Sequence, residues 1–112
     1  MKDDHIYLLH IHDEILFLEE TFPDLTFEML CSDKKSQHIA QKSLEIIGEA
    51  SKKLSDEMKS THPEIPWRLI AGMRDKLTHC YFDVSWEAVW HALRVDIPQL
   101  KPAIELMLLQ IR

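Results

Sequence analysis

The chain has 112 residues, 46% of them apolar and 29% charged, with 13 Lys and Arg against 19 Asp and Glu. That length suits one domain around one core and leaves no room for a second catalytic domain. The composition excludes wholesale disorder, and the net charge of −6 disfavours a general, electrostatically driven nucleic-acid binder while leaving room for a small basic site. Gly48 and Gly72 are the only glycines and Asn is absent, so the turn signals that a sandwich or barrel needs are missing. Cys31 and Cys80 cannot make a disulfide framework or a C-x-x-C zinc pair, and a reduced, cytoplasmic protein is expected. Acids and histidines interrupt the apolar N-terminus, unlike a signal peptide, and no window approaches the run of about 18 apolar residues needed to span a bilayer.

The prolines punctuate the chain. From Asp3 to about Glu20, Leu8, Ile11, Ile15 and Leu18 recur at helical spacing, with Asp3 or Asp4 available as N-cap and TFPD as the stop. Thr26 caps a short turn through Leu30. Ser32 or Asp33 then opens one long helix, expected to reach about Ser60 through Ile39, Leu44, Ile46, Ile47, Ala50, Leu54 and Met58. The prolines make THPEIP a loop. A third helix starts near Pro66 or Trp67 and runs to about Tyr81, and a fourth follows Asp83 or Ser85. Pro98 kinks or divides the last apolar-periodic region. The expected fold is all-α, an up-and-down bundle of four or five helices in a single domain over residues 1–112.

On the third helix, Trp67, Ile70 or Ala71, Arg74, Leu77 or Thr78 and Tyr81 fall on one stripe, so Arg74 interrupts an apolar seam. A guanidinium there needs an acid, access to water or a ligand, because an unpaired buried charge is costly. A structural ion pair and an anion site both fit. His79 shares a face with Asp75, four residues earlier, but lies about 140° around the helix from Arg74. Convergence of Arg74 with His79 requires the arginine to reach round, the helix to fray near Tyr81, or two chains to share one cleft.

The stretch Arg74-Asp75-Lys76-Leu77-Thr78-His79-Cys80-Tyr81 resembles the R-x4-H-x-Y signature of HepT-like toxins in the HEPN superfamily. Further landmarks occur in family order: IIGEA at 46–50, IPW at 65–67, YFD at 81–83, VW at 89–90 and IP at 97–98. The resemblance implies a homodimeric HEPN bundle, the toxin of a type VII toxin–antitoxin system, acting as a metal-independent endoribonuclease whose two motifs meet at the dimer interface. Arg74 and His79 would be catalytic, with Asp75 supporting them. Tyr81 would be the residue adenylylated by a minimal nucleotidyltransferase (MntA-like) antitoxin. RNA supplies its own 2′-OH nucleophile, which suits a His base or acid and an Arg phosphate clamp without cofactor or metal. The alternative is a non-catalytic HEPN module that binds nucleotide or a nucleotidyltransferase partner, a reading that the net charge of −6 keeps open.

Other candidates have plainer explanations. Seven histidines occur, but neither the Glu-x-x-His pairs of di-iron bundles nor H-E-x-x-H does, so no metal is expected. Cys80 lacks a third group to orient a Cys–His pair. Trp67, Trp86 and Trp90 could stack bases, although Trp86 and Trp90 with Leu93 form the kind of face that anchors a bundle.

Overall fold

The computed structural model describes residues 2–79 and 84–111, with side chains for 3–73 and 84–111. Helix α1 (Lys2–Thr21) buries Leu8, Ile11, Ile15 and Leu18, the stripe expected from spacing. The Thr26 side chain accepts from the Met29 N–H at 3.1 Å and starts α2 (Phe27–Ser32). Asp33 ends α2 and begins α3 (Lys34–Lys53), its carboxylate accepting from the Ser36 N–H at 3.1 Å and the Ser36 hydroxyl at 2.6 Å. Those bonds hold the Asp33 carboxyl below its ordinary pKa. Helix α3 lies between α1 and α5, and buries small residues (Ala40, Ser43, Gly48, Ala50, Ser51) beside Leu44 and Ile47, so its neighbours approach closely.

The long helix expected to reach Ser60 stops at Lys53. Leu54 is extended (φ −64°, ψ 144°) and Ser55 caps a separate helix, α4 (Asp56–Ser60), by accepting from the Met58 N–H at 3.1 Å. The reason is a partner on α1. The Asp4 carboxylate takes the Ser55 N–H at 2.8 Å and the Ser55 hydroxyl at 2.7 Å, so the amide is satisfied without continuing the helix. Asp4 is correspondingly no cap of α1, which has already begun at Lys2.

The loop between α4 and the next helix is pinned by Trp67, whose indole N–H lies 3.1 Å from both the Lys59 and His62 carbonyl oxygens. Helix α5 (Trp67–His79) starts there. Helix α6 (Trp86–His91) is capped by Ser85, which accepts from the Ala88 N–H at 3.2 Å. The apolar region around Pro98 does divide, without a loop: a π turn (Ala92–Asp96) joins α6 to α7 (Ile97–Gln110), and the Ile97 N–H bonds back to the Ala92 carbonyl. Pro98 sits in the first turn of α7, and the wider π turn relieves the press of its ring on the carbonyl four residues earlier.

Helix α7 runs antiparallel to α1, with His12 Nε2 3.1 Å from Glu105 and Lys101 Nζ 2.9 Å from Glu19. Glu19 raises the Lys101 pKa. Phe27 of α2 meets the Trp90 ring edge-on at 6.0 Å, the Arg94 guanidinium lies 4.5 Å from the centre of the Trp90 ring, and Arg94 donates to the Leu25 carbonyl. Trp86, Trp90 and Leu93 do pack on the core. The expected all-α bundle is therefore present as four rods, α1, α3, α5 and α6–α7, with α2 and α4 as short links. Among the described residues there is no strand.

Candidate active site

Helix α5 is set against α3 by Ile70, which is 1% exposed, while the Pro66 carbonyl accepts from the Ile70 N–H at 3.0 Å and closes the first turn. Arg74 follows Ile70 by one turn on the same side of the helix, as the seam expected. The side chains of Arg74, Asp75 and His79 are outside the described atoms, and Cys80 and Tyr81 lie outside the described residues. The backbone is regular α-helix through His79, so Asp75 and His79 are one turn apart, and Arg74 and His79 stand about 140° apart around the axis. A single α5 does not place Arg74 and His79 on one face.

On its other side α5 borders a cleft of ≈ 750 Å³. Leu69, Gly72 and Met73 form one wall, and Val84, Ala88 and Val89 form the other. Leu69 is 58% exposed along it. Arg68 reaches the lining from the start of α5, and Asp96, 8% exposed at the end of the π turn, lines it with His91, whose Nδ1 is 3.6 Å from the carboxylate. The positions of Asp75 and His79 continue this side of α5, since Gly72 and His79 are two turns apart and about 20° from alignment. The backbone position of Arg74 thus lies on the side of α5 that carries Ile70, and those of Asp75 and His79 on the side that borders the cleft.

Sequence reasoning missed the cleft, Gly72 and Asp96. A glycine in mid-helix was the available signal, whereas the π turn that carries Asp96 has no simple sequence signature. Among the described residues, no group of three or more His, Cys, Asp or Glu is gathered as a metal site, and no helix is long and apolar enough to cross a membrane.

Comparison with known proteins settles the lineage. The sequence model of the family described as ribonuclease HepT-like matches residues 11–107, which include all of α5 and the whole 74–81 stretch. The chain belongs to the HepT-like ribonuclease family. It is 46% identical over 106 residues to a probable ribonuclease HepT from Thermococcus cleftensis, covering 94% of this chain and 96% of that one. It is 41% identical over 105 residues to a putative RNase from Caldanaerobacter subterraneus subsp. tengcongensis, covering 94% of each. A longer Methanocaldococcus jannaschii protein, described as a gamma-glutamylcyclotransferase and putative RNase, is 40% identical over 92% of this chain and 46% of its own length. No solved structure matches. The HepT-like match thus runs nearly end to end and takes in the whole of α5.

Proposed function

We propose that this chain is a metal-independent endoribonuclease, the toxin of a type VII toxin–antitoxin system, working as a homodimer in the cytoplasm. The observation that carries the reading is the family match across residues 11–107, with Arg74, Asp75, His79 and Tyr81 in motif register. His79 takes the proton of the RNA 2′-OH, or in the partner copy protonates the leaving 5′-oxygen. The 2′-oxygen attacks phosphorus, the bond to the 5′-oxygen breaks, and a 2′,3′-cyclic phosphate remains. Arg74 holds the phosphate oxygens through its planar fork as charge builds on them. Asp75, one turn before His79, orients the imidazole or the arginine.

The division of α5 supports a shared site. Since the backbone positions of Arg74 and His79 stand about 140° apart around one helix, a two-fold pairing that sets one chain's Arg74 beside the other's His79 brings the two groups into one cleft. Tyr81 is the site at which a nucleotidyltransferase antitoxin attaches AMP. The added phosphate competes with RNA for Arg74, giving the silencing an electrostatic basis.

The test is cleavage of a mixed RNA pool in EDTA by the unmodified protein, beside His79→Ala purified identically, with the product ends identified. Cleavage by the wild type alone, leaving 2′,3′-cyclic phosphate, is the expected result. No cleavage by verified unmodified protein favours a non-catalytic module that binds nucleotide or the nucleotidyltransferase.

A further inference from the structure

We propose that the cleft between α5 and α6 is a nucleobase pocket for the RNA strand, selective for bases that carry an exocyclic amino group; this rests on the ribonuclease reading above. Its ≈ 750 Å³ lies within the range of small-ligand sites and accommodates a nucleoside. The walls made by Leu69, Met73, Ala88 and Val89 suit the apolar faces of a base.

Gly72 gives the cleft its depth. A glycine inside a helix is unfavourable relative to alanine, and among the described residues neither backbone nor packing requires one: no glycine has positive φ, and a Cβ at Gly72 would meet no described atom within 4 Å. What the missing side chain provides is space facing the cleft.

Asp96 supplies the polar contact. Its side chain is about nine-tenths buried, and its one ion-pair neighbour among the described residues, His91, stands at 3.6 Å, beyond hydrogen-bond distance. A carboxylate so placed has acceptor capacity for the amino group of adenine, cytosine or guanine, which uracil lacks. The π turn ends at Asp96, and such turns recur at functional sites. Arg68, exposed at the lining and without an ion pair among the described residues, is placed for a phosphate of the same strand. A chain with net charge −6 cannot rely on backbone electrostatics for affinity, so base contacts must carry much of it. The pocket lies on the side of α5 that holds the His79 position about 10 Å further along the axis, near the bond to be cut.

The experiment uses 2′-O-methyl tetranucleotides of A, C or U, whose nucleophile is blocked, titrated against the full-length wild type, Gly72→Phe and Asp96→Asn, with melting and sedimentation recorded for each. The wild type is expected to bind the A and C tetramers about tenfold tighter than U. Gly72→Phe keeps or raises the melting temperature and the oligomeric state, yet weakens A binding at least about tenfold. Asp96→Asn brings A and U together. The pocket is overturned by Gly72→Phe binding as the wild type does, by no tetramer binding at all, or by Gly72→Phe changing the oligomeric state, which would make the cleft the seat of a second copy. Failure of the ribonuclease reading looks different: the tetramers bind with the stated dependence, but unmethylated RNA is not cleaved.

Discussion

Asp4 on the first turn of α1 accepts from both the backbone N–H and the hydroxyl of Ser55, 51 residues later in the chain, and so fastens the N-terminus to the break between α3 and α4. Burial alone would raise the pKa of Asp4, but the two Ser55 bonds outweigh it and hold the carboxyl below its ordinary value. Asp4→Ala removes two bonds to a charged acceptor and is expected to cost about 2–3 kcal/mol at pH 7. A depressed folded-state pKa stabilises above the unfolded value of about 3.9 and loses that contribution as pH falls through the folded value. The gap between wild type and Asp4→Ala in urea unfolding should therefore be constant above about pH 5 and close below about pH 4.

At the proposed site, His79→Ala should lower RNA cleavage by at least about a hundredfold, the scale of a lost acid–base catalyst, with little change in melting temperature. Arg74→Ala should lower cleavage and also weaken binding of a non-cleavable RNA. Parallel activity and filter-binding measurements check both; equal activity in the two variants and the wild type would remove the assignment.

Trp90 is held between Phe27 of α2 and Arg94 of the π turn, so it ties a short link helix to the α6–α7 rod. Trp90→Ala is expected to cost about 3 kcal/mol, towards the low end for an aromatic truncation because the ring is only half-buried. Arg94→Met, which keeps much of the packing but loses both the cation over the ring and the bond to the Leu25 carbonyl, should cost about 2–3 kcal/mol. Chemical denaturation of the two variants separates the contributions.

Much of this fold was readable from neighbouring residues. The Thr26 and Asp33 caps, the α1 stripe and the proline loop depend on chemistry within a few positions, and each is present. The end of α3 was not readable, because Leu54 and Met58 continue the apolar spacing and the group that stops the helix, Asp4, sits on another element. The same division holds at the site. The placement of Arg74, Asp75 and His79 on one helix follows from local pattern, whereas the cleft exists only once α6 is set across from α5, and Asp96 faces it only through a π turn.

Pro102 lies inside α7 on the exposed side, where it removes a backbone donor and crowds the preceding turn. Pro102→Ala should raise stability by about 1–2 kcal/mol, the helix penalty offset in part by a less restricted unfolded chain. Thermal melts of the two proteins read this directly.

The run from Trp86 to Gln110 has no loop, because the π turn carries helical hydrogen bonding through the proline region. Mechanically it is a single strut. Asp96 at the cleft and Glu105 against His12 of α1 are separated by about 14 Å of unbroken helix, so a displacement that an occupant imposes on Asp96 is delivered to the far side of the bundle as a shift of the whole rod. The same continuity denies a protease an extended segment between α6 and α7.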